Sequence, residues 1–288
     1  MTTIMIPLCS HDLLAHPDTS DTDSELEQKV LYLGRLFLAS NLLAFILTVI
    51  PVVAEFGDVP SSPHDNWYVY NDIFRLIEPI VAMPFQVLIL CETNIFGPFH
   101  TQTRGNLALL VMFCISAALY QQGAGFHSAS NMFKHAVESV RTPESVAAYP
   151  LIEDVYDWIR DLWEHLVSHY MYAGAGILIS WVNAYKLRNL VIPKGPRRNA
   201  LITWVLAAVV YGLIVGSVAA QFIKGSIVAL CLIFVYGFGV LGTFLHTRND
   251  GWILGKRIVI QYYLLSYCIA LVITIGWMSV NGLKSRND

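Results

Sequence analysis

Apolar residues fall in long unbroken runs separated by short polar stretches. The runs mark candidate spans at 30–54, 71–91, 106–128, 157–182, 200–221, 225–246 and 258–281. Each run reaches or exceeds the roughly 20 residues that a helix needs to cross hydrocarbon. None alternates with a period of two, which sets a β-barrel aside. The pattern predicts an all-α membrane protein, a bundle of about seven transmembrane helices forming one domain over 30–282. An acidic flexible tail, 1–29, precedes it (Asp12, Asp18, Asp21, Asp23, Glu25, Glu27), and a short tail, 283–288, follows. The lipid bilayer is the first partner this pattern implies.

Composition sharpens the picture. Of 288 residues, 55% are hydrophobic and 14% charged, against about 25% charged in an ordinary soluble domain. That balance excludes a disordered chain and argues against a soluble enzyme. The net charge is −3, and no basic stripe offers a footing for nucleic acid. Cys91, Cys114, Cys231 and Cys268 lie in apolar runs and Cys9 in the tail, with no CxxC among them. They read as thiols and not as a metal or disulfide framework. The acidic N-terminus has no signal-peptide n-region, so the first span serves as its own insertion signal.

Loop charge sets the expected orientation. With seven spans, Lys29, Arg104, Lys186, Arg188, Lys194, Arg197, Arg198, Arg248, Lys256 and Arg257 share the N-terminal side. Only Lys134, Arg141, Lys224, Lys284 and Arg286 share the other. The N-terminus is therefore expected in the cytosol and the C-terminus in the lumen. Gly212 and Gly216, extended by Ala220, form a close-approach motif for helices. Pro79 and Pro84 free backbone carbonyls inside span 2. The link between spans 5 and 6 is so short that they should form a tight hairpin.

Ionisable groups inside spans carry the functional signal. In span 4, Asp161, His165 and His169 stand at i, i+4 and i+8, on one helix face, with Glu164 beside them. In span 3, Gly123-Ala124-Gly125-Phe126-His127 leads to Asn131 and His135 at the same spacing. Span 2 brings Asp72, Arg75 and Glu78 to the same end. An Asp72–Arg75 pair would leave Glu78 to meet a histidine, and Gln221 closes span 5 at that end too. The spans thus converge a polar cluster on the luminal leaflet. Three uses are open to it: hydrogen-bonded glue or a polar ligand pocket, a metal site, or a proton or ion relay. His127, His165 and His169 are chemically sufficient ligands for zinc. No GxSxG elbow, no HExxH and no Gly-rich phosphate loop occurs. The aromatic residues near span ends, among them Trp67, Tyr68, Tyr70, Trp158, Trp181, Trp252, Tyr262 and Tyr263, read as an interfacial belt.

At these residues the chain resembles the ceroid-lipofuscinosis neuronal protein 6 family. Gly123-Ala124-Gly125-Phe126-His127 with Asn131 is similar to that family's Gly-Ala-x-x-His element. Trp163-Glu164-His165-Leu166-Val167-Ser168-His169-Tyr170-Met171-Tyr172 is similar to its aromatic, acidic, then Gly-or-Ser-His segment. Gln221 and Leu245-His246-Thr247-Arg248 match weaker elements. The family has an acidic pair where this chain places His165, and a Glu near the position of Gln221. The resemblance implies an endoplasmic-reticulum membrane protein that supports export of lysosomal enzymes and lysosomal lipid homeostasis. Its partners would be luminal protein cargo, a membrane partner or a second copy of the chain. A fainter likeness by chemistry alone is to seven-span ceramidase-like hydrolases, which hold zinc on three histidines; it implies an intramembrane zinc-dependent lipid hydrolase as the alternative.

Overall fold

A computed structural model describes residues 19–54, 69–98, 102–221 and 225–282. The tail before residue 19, the link 222–224, the tail 283–288 and the side chain of Gln221 lie outside the described residues. Among the described residues the protein is all-helical. Helix α1 (Thr19–Ala44) passes through a π-helical stretch, Phe45–Val49, into the short α2 (Ile50–Val53). Then come α3 (Tyr70–Cys91), α4 (Arg104–Val140), α5 (Pro143–Ala148) and α6 (Leu151–Asp157). A π-helical stretch, Trp158–Ser168, leads into α7 (His169–Leu187), followed by α8 (Arg198–Gln221). Helix α9 (Gly225–Leu232), a π-helical stretch Ile233–Gly242 and α10 (Thr243–His246) make one rod, and α11 (Ile258–Asn281) ends the bundle.

Among the described residues, six helical segments are long and apolar enough to cross a membrane: Asp23–Val49, Tyr70–Cys91, Arg104–Val140, Arg198–Ala220, Gly225–His246 and Ile258–Asn281. Their outward faces carry exposed apolar side chains such as Val111, Ile115, Leu206, Val272 and Ile275, a surface suited to lipid and not to water. The protein is a multi-pass membrane protein. The remaining rod, from Leu151 to Leu187, packs against α4, but its first half carries Glu153, Asp154, Asp157, Arg160, Asp161 and Glu164.

Two helix groups build the interior. Helices α1, α8 and α11 enclose Phe37, Trp204, Tyr262 and Tyr263. Gly34 leaves room for the Trp204 indole, where an added Cβ would sit 2.8 Å from Nε1. That indole donates to the Val30 carbonyl at 3.0 Å. Gly212 and Gly216 bring α8 onto α11, facing Ile269 and Ile273, the close approach their spacing predicts. Tyr262 and Tyr263 are core residues, 3% and 1% exposed, and not part of an interfacial belt. The second group, α3, α4 and α7, packs Met83, Leu90, Phe113, Ile179 and Val182. A polar seam joins the two groups: Asn183 Nδ2 donates to Gln86 Oε1 at 2.8 Å, and Gln86 Nε2 to Ser40 Oγ at 2.7 Å.

Some boundaries differ from those expected. Helix α1 reaches back to Thr19, into the acidic segment, where Asp23 pairs with Lys194 and Glu27 with Arg197. Helix α4 runs on to Val140 and ends only before Thr142-Pro143, which opens α5 with a capping box. The π-helical stretch after Ala44 sits just ahead of Pro51. A widened turn relieves the clash between a proline ring and the preceding turn. Within this stretch Thr48 Oγ1 donates to the Ala44 carbonyl at 2.5 Å.

Candidate functional site

The polar side chains of α3, α4 and the Trp158–Leu187 rod meet at one end of the bundle. The ion pairs Lys29–Glu92, Asp23–Lys194 and Glu27–Arg197 and the Lys186–Asn106 hydrogen bond mark the opposite end. At the centre of the cluster, a guanidinium nitrogen of Arg75 lies against His127 Nε2. The His127 ring stacks on His169, centroids 4.8 Å apart and planes 13° apart. His165 lies 5.6 Å from His169 at a 42° tilt. All three histidines are buried.

Carboxylates surround this core, each with its own partner. Asp72 accepts from Asn131 Nδ2 at 2.5 Å, and the Asp72 carbonyl accepts from Ser128 Oγ at 2.9 Å. Glu164 pairs with Lys134 at 2.8 Å and lies 3.6 Å from His165 Nε2. Glu78 accepts from the Tyr120 hydroxyl at 2.8 Å and from the Tyr172 hydroxyl at 3.1 Å. Those two tyrosine rings stack at 4.3 Å.

Helix geometry explains the assembly. Gly123 lets α4 and α7 touch backbone to backbone, which sets His127 against His169 one turn further on. On α4, Tyr120, His127 and Lys134 recur every seven residues, so they share a side. On the facing rod, His165, His169 and Tyr172 do the same at steps of four and three.

Most residues singled out from the sequence arrive here: Asp72, Arg75, Glu78, His127, Asn131, Glu164, His165 and His169. Some contacts differ from expectation. Asp72 turns to Asn131, and among the described residues Arg75 forms no ion pair with it; Glu78 meets two tyrosines and not a histidine. Asp161 is outside the cluster, its side chain 54% exposed and paired with Arg160. Its residue lies in the π-helical stretch, where hydrogen bonds close from i to i+5. There Glu164, His165 and Ser168 are buried, and Asp161 stays at the outer surface. The sequence reading missed Lys134, Tyr120 and Tyr172; their seven- and three-residue spacing from the histidines was the available signal.

The histidine geometry bears directly on zinc. A ring nitrogen donates its lone pair in the ring plane, and two nearly parallel stacked planes have no common point about 2.0–2.1 Å from both nitrogens. Among the described residues, no group of three His, Cys, Asp or Glu side chains is placed to hold a metal ion. His127, His165 and His169 come together as neighbours without converging on one point. The adjacent Arg75 cation also opposes a second cation there. The described cysteines, Cys91, Cys114, Cys231 and Cys268, are free thiols.

Two cavities open beside the cluster. The smaller, about 40 Å³, is lined by Arg75, His127, Ser168, His169, Tyr172 and Val218. The larger, about 200 Å³, runs between the helix groups past Glu78, Asn183, Tyr211, Tyr263, Tyr172 and Val218. Tyr172 and Val218 line both. No protein-family model, curated protein or solved structure matches the chain.

Proposed function

We propose that this is a seven-span, non-enzymatic membrane receptor or scaffold whose polar cluster is a ligand pocket in the luminal leaflet. The observation that carries this reading is the Arg75–His127–His169 arrangement. A guanidinium caps one imidazole, and that imidazole stacks in parallel on the next. Such a set presents hydrogen-bond donors and a positive charge to a guest instead of lone pairs to a metal. Two cavities adjoin it. In this reading residues 157–182 of the Leu151–Leu187 rod are the seventh span, with Glu164, His165, Ser168 and His169 buried. The basic end lies in the cytosol, with the N-terminus, and the C-terminus lies in the lumen. Resemblance to the ceroid-lipofuscinosis neuronal protein 6 family supports placement in the endoplasmic reticulum and a part in the export of lysosomal enzymes and lipid homeostasis.

Elemental analysis of the detergent-purified protein tests the central point. The expected result is zinc far below one per chain after zinc supplementation, unchanged in His127→Ala and His169→Ala. Near-stoichiometric zinc, lost in both variants, would overturn it in favour of the lipid hydrolase. Orientation is tested separately. The chain has no Asn-x-Ser/Thr sequon of its own, so one engineered at 144–146 should be glycosylated in microsomes, whereas one at 194–196 should not.

A further inference from the structure

Arg75 stands apart from the other charged groups of the cluster. Asp72 is taken up by Asn131, Glu164 by Lys134, and Glu78 by Tyr120 and Tyr172. Among the described residues no ion pair includes Arg75. Its Nε and the Nδ1 of His127 are buried and have no hydrogen-bond partner. An arginine stays protonated; Asp72 and Glu164 act on Arg75 only from beyond ion-pair distance, and a buried charge with no direct partner is costly. Both side chains line the smaller cavity. The cavity is thus lined by two residues with unpartnered buried donor nitrogens, one of them a cation, the lining an anionic head would use.

The cavities also describe the rest of the guest. The smaller holds about 40 Å³, and one water-sized group needs about 10–15 Å³ by the same measure. That suits the three heavy atoms of a carboxylate and is tight for a phosphodiester. The larger cavity, about 200 Å³, is walled mainly by apolar side chains and shares Tyr172 and Val218 with the smaller.

We infer that the protein binds a long-chain carboxylate, a free fatty acid or close relative, with its head on Arg75 and His127 and its tail past Val218 into the larger cavity. This rests on reading the cluster as a ligand pocket. It adds the charge, size and tail of the guest.

The test uses the full chain, purified, stripped of lipid and reconstituted in nanodiscs, with radiolabelled oleate, monooleoylglycerol and acetate as probes. Oleate should bind saturably and about tenfold or more tighter than the neutral ester, the range for hydrogen bonds to a charged group. Arg75→Gln should abolish that preference while leaving the ester's affinity in place. Val218→Trp, which blocks the passage without touching the charge, should weaken both lipids, and millimolar acetate should not displace oleate. If oleate and the ester bind wild type alike, the anionic head is overturned and the pocket reading stands. If acetate displaces oleate, the tail assignment is overturned. If neither lipid binds and solvent extracts of the purified protein hold no lipid, both readings fall.

Discussion

Gly123 and Tyr172 bring two helices into backbone contact: a Cβ at position 123 would lie 2.5 Å from the Tyr172 amide nitrogen. Two residues on, Gly125 faces nothing within 4 Å. The paired glycines of the Gly-Ala-Gly element are therefore unequal. Gly123→Ala must force α4 from α7, costing about 1–3 kcal/mol or more. Gly125→Ala should be neutral or slightly stabilising, since alanine is the better helix former. Thermal denaturation in detergent checks both; equal effects would refute the contact.

The Lys134–Glu164 pair is largely buried, its side chains 16% and 7% exposed. Removing one partner strands the other charge. Lys134→Met should cost about 3–5 kcal/mol, and the double variant Lys134→Met/Glu164→Gln distinctly less. Comparing the two single variants with the double by denaturation settles this. A double variant as unstable as the sum of the singles would count against a direct pair.

Glu78 gathers two buried hydroxyls. Glu78→Leu leaves the Tyr120 and Tyr172 hydroxyls with only each other, at 2.7 Å, and should cost about 1–3 kcal/mol. Glu78→Gln keeps an acceptor oxygen in place and should cost less. The ranking, read from melting temperatures of the two variants, is the check.

Acid should loosen the connection between α4 and α6. The Arg141 guanidinium bonds both carboxylate oxygens of Glu153 at 2.5 and 2.6 Å and holds its carboxyl below the usual range. Asp250, beside Arg257, is held low in the same way. A carboxyl lowered in the folded state stabilises above its unfolded pKa, about 4, and that contribution is lost as pH falls through the folded value. Stability from these pairs should be level from pH 6 to 8 and decline below about pH 4. Glu153→Gln should be less stable than wild type at pH 7, and the gap should narrow as the pH falls below about 4. Because both carboxylates are only partly buried, the effect is small and weakens with salt.

Much of this was legible from spacing. The apolar runs mark the spanning helices, and four-residue steps through His127, Asn131, His165 and His169 mark the cluster. Spacing failed where the helix itself departs from 3.6 residues per turn. Asp161 and Glu164 were both expected in the cluster; in this π-helical stretch Glu164 is buried and Asp161 stays at the surface with Arg160. Lys134 was hidden because a span limited to apolar residues stops at 128, whereas α4 continues through a polar turn sheltered by its neighbour. Tyr262 and Tyr263 resemble belt aromatics by position, but α1 and α8 cover them. Arg75 was expected to take Asp72 as its partner, and only the three-dimensional arrangement shows Asp72 already committed to Asn131.

Asn41 on the first helix donates to the Ala207 carbonyl at 3.1 Å and to the Tyr262 hydroxyl at 2.8 Å. Its partners sit on α8 and α11, both made long after α1. While synthesis runs, the amide of α1 waits in the bilayer for α8 to supply one acceptor and α11 the other. A chain cut short before α11 would keep the Ala207 contact and lose the Tyr262 one, so each later helix adds its own share to the same latch.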